Sequence, residues 1–156
     1  MSEAELRLFN EASKCTFYTI QFLNDDASEY EKFFTRFKDD SVYNPDLAKI
    51  VGILDNIGQN GALERFFRYE GKMSDRVMAL PILTSKLRLY CLRLSDGILV
   101  LGNGGIKKTR TYDEDATLRG YVMDLQKFDQ LLKEGEKDGS IEITESTIET
   151  DNIFDI

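Results

Sequence analysis

The fold is decided by residues 86–101, which read KLRLYCLRLSDGILVL. The first nine positions alternate strictly, so they place Lys86, Arg88 and Tyr90 on one face of a strand, with leucines between them on the other. The Asp-Gly pair at 96–97 is a signal for a hairpin turn. The aliphatic run that follows it is consistent with a central strand. The stretch therefore predicts a β-hairpin at the centre of the protein.

Further strand patterns lie on the N-terminal side of this hairpin. Residues 64–69 and 76–81 are short segments of the same kind, and together with the hairpin they predict an antiparallel meander of three or four strands. Residues 15–22 are rich in β-branched and aromatic side chains and predict one more strand.

Three segments have helical periodicity. The first carries an aromatic stripe at i, i+3, i+4 and i+7 within residues 30–37. The second carries apolar residues at helical spacing within residues 47–57, and the third carries an apolar stripe within residues 118–132. Residues typical of helix ends flank these segments: Ser28 before the first, Asn44-Pro45 and Gly58 around the second, and Asp113 or Asp115 and Gly135 around the third.

The order of these elements, β-α-α-β-β-β-β-α, predicts one α+β domain: an antiparallel β-sheet with an N-terminal helical hairpin and a C-terminal helix. We expect the helices to cover one face of the sheet and to leave the opposite face free for a partner. The chain divides into an N-terminal extension (residues 1–14), the α+β domain (residues 15–135) and an acidic C-terminal tail (residues 136–156) with one possible strand at 141–144.

The composition excludes several classes of function. The 156 residues contain no histidine and only two cysteines, so a zinc site, a disulfide framework and histidine-dependent nucleophilic catalysis are not expected. The sequence patterns predict that Cys15 and Cys91 are buried apolar groups. No apolar run reaches about 18 residues and no signal peptide is recognisable, so we expect a cytoplasmic protein with no membrane partner, no metal and no cofactor.

The charge is distributed very unevenly. The net charge is −8, but residues 1–62 carry 11 acidic and 6 basic side chains, residues 63–112 carry 4 and 10, and residues 113–156 carry 13 and 4. One continuous segment of an acidic protein is therefore strongly basic, and the net charge does not exclude a nucleic-acid partner.

The basic side chains of this segment fall on or beside the predicted meander. They are Arg65, Arg68, Lys72, Arg76, Lys86, Arg88, Arg93, Lys107, Lys108 and Arg110. With tyrosines at 69, 90 and 112, such a face could hold a phosphate backbone and stack on a base. The alternative is a solvated sheet face whose charges pair with the acidic helices, and the charge pattern leaves both interpretations open.

A glycine-rich segment at residues 102–110 reads GNGGIKKTR. It does not satisfy the phosphate-loop pattern, because Lys107 stands where a glycine is required before Lys108-Thr109. The dinucleotide-binding pattern fails at the same position. The segment instead predicts a strand that ends in a bend or bulge, with its lysines in solvent.

Two local patterns carry a resemblance to a known family. They are the strand Leu87-Arg88-Leu89-Tyr90-Cys91, and the segment Gly105-Ile106-Lys107-Lys108-Thr109 that leads into the last helix. With the turn and the apolar strand between them, they resemble the RelE/ParE-like toxin superfamily of bacterial toxin–antitoxin systems, most closely its HigB-like branch. The order of elements is similar over residues 16–132.

The resemblance implies a metal-free endoribonuclease that cleaves mRNA, usually on the ribosome, and that has a cognate antitoxin protein. In such chemistry a 2′-hydroxyl attacks the neighbouring phosphate, so the protein has to move protons and stabilise the phosphorane charge. By position, Arg68, Arg88 and Lys107 would stabilise charge, and Lys86 or Lys108 would act with Tyr112 as acid and base. Five further residues would bind RNA: Arg65, Arg76, Tyr90, Arg93 and Arg110.

Two other functions are compatible with the same sequence. One is a catalytically inactive binding module with this fold, which grips a protein partner or antitoxin through its sheet face. The other is a gyrase poison, which is a known outcome on this fold and would act on DNA supercoiling instead of RNA.

Overall fold

A computed structural model describes residues 2–69, 76–81, 85–110 and 115–156 of the chain. Within these ranges the helices are α1 (Glu29–Lys38), α2 (Asn44–Asn60) and α3 (Ala116–Asp138), with a short 3₁₀ turn at Glu64–Phe66. The strands are β1 Glu3–Glu11, β2 Thr16–Phe22, β3 Arg68–Tyr69, β4 Val77–Pro81, β5 Leu87–Ser95, β6 Ile98–Ile106, β7 Glu142–Ile143, β8 Ile148–Glu149 and β9 Phe154–Asp155. The α+β class is confirmed. No helix in the described ranges combines the length and the apolar character that crossing a bilayer requires.

Seven strands form one sheet in the order β3-β4-β5-β6-β2-β1-β9, and β7 and β8 form a separate pair. The predicted β5–β6 hairpin is present, and β3, β4 and β5 form an antiparallel meander. The strand expected at residues 64–69 is confined to Arg68–Tyr69, because residues 64–66 form the 3₁₀ turn. The expectation of a wholly antiparallel sheet is wrong, because β2 pairs with β6 in parallel from Thr16↔Ile98 to Thr19↔Leu101. Parallel neighbours need a long crossover connection, and here α1, α2 and the meander supply it.

Both faces of the sheet are covered. On one face, α1 and α2 pack on the leucines of β5 and on Leu99 and Leu101 of β6. On the other face, α3 packs on Tyr90 and Leu92 of β5 and on Val100 of β6. The expected free face is therefore wrong, since the apolar stripe of α3 meets an apolar stripe of the sheet and burial of both is favourable.

The first strand belongs to the sheet. β1 pairs with β2 from Ala4↔Phe22 to Glu11↔Thr16, with a bulge between Leu8 and Asn10. The division that makes residues 1–14 an extension is therefore corrected. The charged side chains of this segment obscure the strand pattern in the sequence. In the structure Ala4 points inward and is fully buried.

The last segment belongs to the domain as well. Phe154 of β9 pairs with β1, and its ring lies 4.7 Å from the ring of Phe128 in α3. Ile141 and Ile148 are also buried in the core under α3. The acidic segment 136–156 is therefore anchored by widely spaced apolar residues, and its interpretation as a tail outside the domain is corrected.

Most predicted helix starts agree with the structure. The side chain of Ser28 accepts a hydrogen bond from the amide of Glu31 and forms a capping box with it. Pro45 lies in the first turn of α2, but the N-cap is Tyr43, whose side chain makes no capping hydrogen bond, so the expected cap at Asn44 is wrong by one residue. Of the two candidates for the start of α3, the cap is Asp115.

The helix ends differ from the expectation at two glycines. Both α2 and α3 continue past the predicted stops, Gly58 and Gly135, and end before Gly61 and Gly139, which have positive φ angles. Gly58 and Gly135 are needed for close packing instead, because a Cβ on Gly135 would lie 2.3 Å from the Cδ1 of Ile141.

The glycine-rich segment forms the predicted bulge. The register of β5 against β6 shifts between Leu89↔Gly104 and Cys91↔Leu101, so two residues of β6 oppose Tyr90 alone. A Cβ on Gly104 would lie 2.0 Å from the carbonyl oxygen of Arg88. This glycine therefore lets the two backbones approach closely.

A pair of glycine substitutions tests this packing. We expect Gly104→Ala to lower the free energy of unfolding by about 1–3 kcal/mol, because a backbone carbonyl has to move. Gly52→Ala is the control: a Cβ there meets nothing within 4 Å on exposed α2, so it should raise stability by about 0.5–1 kcal/mol. Urea unfolding measures both values, and equal effects of the two changes would contradict the account.

Candidate nucleic-acid interface

The end of the β5–β6 hairpin that lies away from the turn is basic. The amide of Lys107 donates to the carbonyl of Lys86 at 2.7 Å, and Arg88 is paired with Gly105 on the neighbouring strand. Lys108 follows directly, and it is exposed, as is Lys86. Two lysines from one strand end and two basic residues from the other therefore lie side by side.

Arg68 lies on the same side of the sheet. It pairs with Ala79 of β4, and Pro81 of that strand pairs with Arg88. Residues directly opposite each other share a face, so Arg68 and Arg88 face the α3 side, with Cα atoms about 12 Å apart from strand spacings. We call Arg68, Lys86, Arg88, Lys107 and Lys108 the basic end.

The Arg88 side chain is folded against the hairpin end. Its Nη1 donates to the carbonyl oxygens of Ser85 at 2.7 Å and Leu87 at 3.0 Å. Its Nε is buried and has no hydrogen-bond partner among the described residues. A buried donor without an acceptor costs free energy. The two bonds from Nη1 hold the guanidinium in place.

Three of the predicted RNA-binding residues have structural roles elsewhere. Arg76 forms an ion pair with Asp129 of α3. Arg93 lies near the turn end of the hairpin, where it donates to the carbonyl of Ala62 at 2.6 Å and pairs with Asp96 at 2.5 Å. Tyr90 is 0 % exposed beneath α3, so its ring is not available to stack on a base. The sequence shows the charges but not these partners.

The remaining predicted residues lie outside the basic end. Arg65 is exposed on the 3₁₀ turn, with its guanidinium 5.1 Å from the centre of the Phe66 ring. Arg110 is exposed beyond the end of β6. Tyr112 and Lys72 lie outside the described residues.

A second polar cluster occupies the notch where β6 runs beyond its paired segment with β2. Arg36 of α1 donates to the carbonyl of Gly104 at 2.8 Å and to the side-chain oxygen of Asn103 at 3.1 Å. Its guanidinium carbon lies 6.0 Å from the centre of the Tyr121 ring on α3. Arg36 therefore donates a hydrogen bond to β6 where no neighbouring strand among those described does so. Its contacts link α1, β6 and α3.

Acidic groups complete this notch. Asn103 donates to Glu29 at 3.4 Å, and Glu29 is paired with Lys32 at 2.6 Å. Burial raises the pKa of Asp124 on α3 to about 6, the negative charge of Glu29 adds to the effect, and Lys32 opposes it. Asp124 is consequently the carboxyl group here that titrates close to neutral pH.

The sequence does not single out these notch residues. Arg36 lies in the acidic N-terminal segment, and its partners come from two distant parts of the chain, β6 and α3. The one signal is Asn103, a polar residue inside the glycine-rich strand, which is buried at 3 % exposure.

The two cysteines are buried and unpaired with each other, as predicted. Burial raises the pKa of Cys15 to about 11 and raises that of Cys91 further. Neither is therefore suited to act as a thiolate nucleophile. In the described ranges, no three His, Cys, Asp or Glu side chains are grouped so that they could hold a metal ion.

Comparison with known proteins adds no relative: no family model, no curated protein and no solved structure matches the chain.

The raised pKa of Asp124 predicts a specific dependence of stability on pH. Because the folded protein binds this proton more tightly than the unfolded chain, ionisation above pH 6 destabilises the native state. We expect Asp124→Asn to be more stable than the wild type at pH 7.5, by about 1 kcal/mol after allowance for solvent screening at a partly exposed site. The advantage should fade as the pH falls from about 6 to about 4.

Urea unfolding at several pH values measures this difference. Glu136→Gln, an exposed change on the same helix, is the control and should show no comparable advantage at pH 7.5. An Asp124→Asn effect that did not vary with pH would contradict the assignment.

Proposed function

We propose that this protein is a toxin-like endoribonuclease, similar to the RelE/ParE toxins and their HigB-like branch, that binds the mRNA backbone at the basic end and cleaves it on the ribosome. A cognate antitoxin protein would be its partner in the cell. The observation that carries the proposal is the convergence of Arg68, Lys86, Arg88, Lys107 and Lys108 on one part of the sheet of an acidic protein. Such a cluster attracts phosphate groups whatever the net charge.

The chemistry is the one that the resemblance to these toxins implies. A 2′-hydroxyl attacks the adjacent phosphorus, the bond to the 5′-oxygen breaks, and a 2′,3′-cyclic phosphate and a 5′-hydroxyl are formed. Arg68, Arg88 and Lys107 would stabilise the negative charge of the phosphorane. Lys86 or Lys108 would move protons together with Tyr112. The anchored Arg88 supports this role, because a fixed cation needs little reorganisation when charge develops.

The alternative, an inactive module that grips a protein through its sheet face, has less support. The central strands of the proposed face lie under α3, so they do not offer a surface to a partner. The basic end remains accessible at Lys86 and Lys108, and it suits an anionic ligand better than an apolar one.

The first test is RNA binding against salt. We expect Lys86→Ala/Lys108→Ala to lower the affinity for a single-stranded oligoribonucleotide at least tenfold, since each lost charge-assisted contact contributes about 1 kcal/mol or more. The slope of log affinity against log salt should become shallower by about 1.4. Fluorescence anisotropy measures both quantities.

The matched control for binding is Lys38→Ala/Lys49→Ala, which removes the same charge from exposed positions on α1 and α2. It should leave the salt slope nearly unchanged. Equal losses in the two double variants would show that binding reflects overall charge, and the basic end would no longer be the proposed site.

The second test is cleavage. We expect expression in a bacterium without the antitoxin to arrest growth, and mRNA cut on the ribosome to carry 2′,3′-cyclic phosphate ends. A single 2′-deoxy nucleotide at the cut site should abolish the cut while leaving binding intact. Arg88→Ala/Lys107→Ala should abolish arrest and cleavage.

Because Arg88 also anchors the hairpin, the exposed pair Lys86→Ala/Lys108→Ala is the second variant in this assay. Growth arrest that persists in both double variants, or cleavage that survives the 2′-deoxy substitution, would contradict the proposed function. Arrest with altered DNA supercoiling and intact mRNA would indicate a gyrase poison instead.

A further inference from the structure

An apolar groove lies on the α1/α2 side of the domain, between these helices and the end of β1. Its volume is about 610 Å³. The sheet order places β1 three strands away from β5, so the groove is separate from the basic end. Its volume is in the range of small-molecule sites, roughly 300–1,000 Å³.

Aromatic rings form one wall of the groove. The Phe9 ring stands edge-on to the Tyr30 ring with centroids 5.0 Å apart, and the Phe34 ring lies 6.4 Å from that of Tyr30. Phe9 and Phe34 remain 46 % and 38 % exposed, whereas Tyr30 is 5 % exposed. The site thus keeps two ring surfaces accessible around a buried one.

The bulge in β1 gives Phe9 its position. Leu8 pairs with Tyr18 and Asn10 pairs with Phe17, so Phe9 is the extra residue without a partner on β2. A bulge of this kind re-aims a side chain. Here it brings an aromatic ring of β1 to the mouth of a groove that two helices complete.

All the charged residues that line the groove are acidic. Two carboxylates, Glu31 and Asp55, contribute to it, and none of its lining residues is basic. Glu31 is fixed on α1, because one of its oxygens accepts the amide of Ser28 at 3.3 Å. Asp55 is exposed on α2. Each of the two helices therefore contributes one carboxylate to the same apolar groove.

Asp55 and Tyr30 line the same groove. Burial raises the pKa of Tyr30 to about 12, and electrostatic interactions with Cys91 and Asp55 add to the rise. The acid and the aromatic wall consequently belong to one site.

We propose that this groove binds a small hydrophobic ammonium ion, with its apolar body against Phe9, Tyr30 and Phe34 and its charge directed to Asp55 and Glu31. Aromatic faces attract organic cations, and nearby carboxylates increase that attraction. The same carboxylates repel fatty acids and other anionic amphiphiles. A neutral apolar ligand would gain nothing from the two acids.

Three probes with the same phenylpropyl body test the proposal by calorimetry. They are the (3-phenylpropyl)trimethylammonium ion, its neutral tert-butyl isostere and 4-phenylbutyrate. We expect the ammonium ion to bind at least about tenfold more tightly than the neutral isostere, which corresponds to the upper part of the cation–π range. The carboxylate should bind more weakly than both.

Variants locate the binding in the groove. Asp55→Asn should remove most of the preference for the ammonium ion over its isostere while the isostere binds as before. Phe34→Ala should weaken all probes that bind. Asp39→Asn removes the same charge from an exposed residue that does not line the groove, and it should leave the preference unchanged.

The residues changed are exposed, so the variants should stay folded, and urea unfolding checks this. Equal affinity for the ammonium ion and the isostere would overturn the proposal and mark the groove as a general apolar docking surface. A preference that survived in Asp55→Asn, or that fell equally in Asp39→Asn, would also overturn it.

Discussion

The structure depends on the burial of β6 on both of its faces. Every residue of this strand from Ile98 to Gly105 is buried. Each aliphatic side chain here contributes roughly 1.5–3 kcal/mol when it leaves water, so neither face of the strand can remain exposed in a stable fold. The helical pair α1 and α2 covers one face and α3 covers the other. The neighbours β5 and β2 satisfy its backbone from both edges.

The same strand positions both polar sites. Where β6 extends beyond its pairing with β2, Arg36 donates to the carbonyl of Gly104 and the Asn103 side chain accepts a hydrogen bond from the Gly104 amide. Where β6 ends beside the start of β5, Lys86 and Lys108 are exposed to solvent. The basic end and the polar notch are therefore consequences of one buried strand that extends past its partners.

Local patterns were sufficient to predict much of the fold. The alternation in β5, the Asp-Gly turn and the helix cap at Ser28 depend on residues close together in sequence, and all three are confirmed. The parallel pairing of β2 with β6 depends on distant segments, and no local pattern specifies it. β1 was not predicted, because four of its nine residues are charged and its bulge interrupts the alternation of apolar and polar residues. Gly58 and Gly135 are ordinary helix-stop signals until the side chains packed against them are known.

The candidate site divides in the same way. Charge counting located the basic segment, and strand pairing brought Lys86, Arg88 and Lys107 together as adjacent residues on one hairpin end. Charge counting could not show that Arg76 and Arg93 are held in ion pairs. The packing of α3 brings Asp129 to Arg76, and the hairpin turn brings Asp96 to Arg93. The RelE/ParE-like function itself stays a proposal based on the resemblance and on the basic end.

The most direct measurement is a titration of the ¹⁵N-labelled protein with a short oligoribonucleotide, followed by amide chemical shifts. The account predicts that the shifts concentrate at residues 86–88 and 105–108 and at Arg68, and that the amides of Arg93 and of the groove residue Phe34 stay unchanged. Shifts centred on Arg93 or on the α1/α2 side, or no shifts at millimolar RNA, would contradict it.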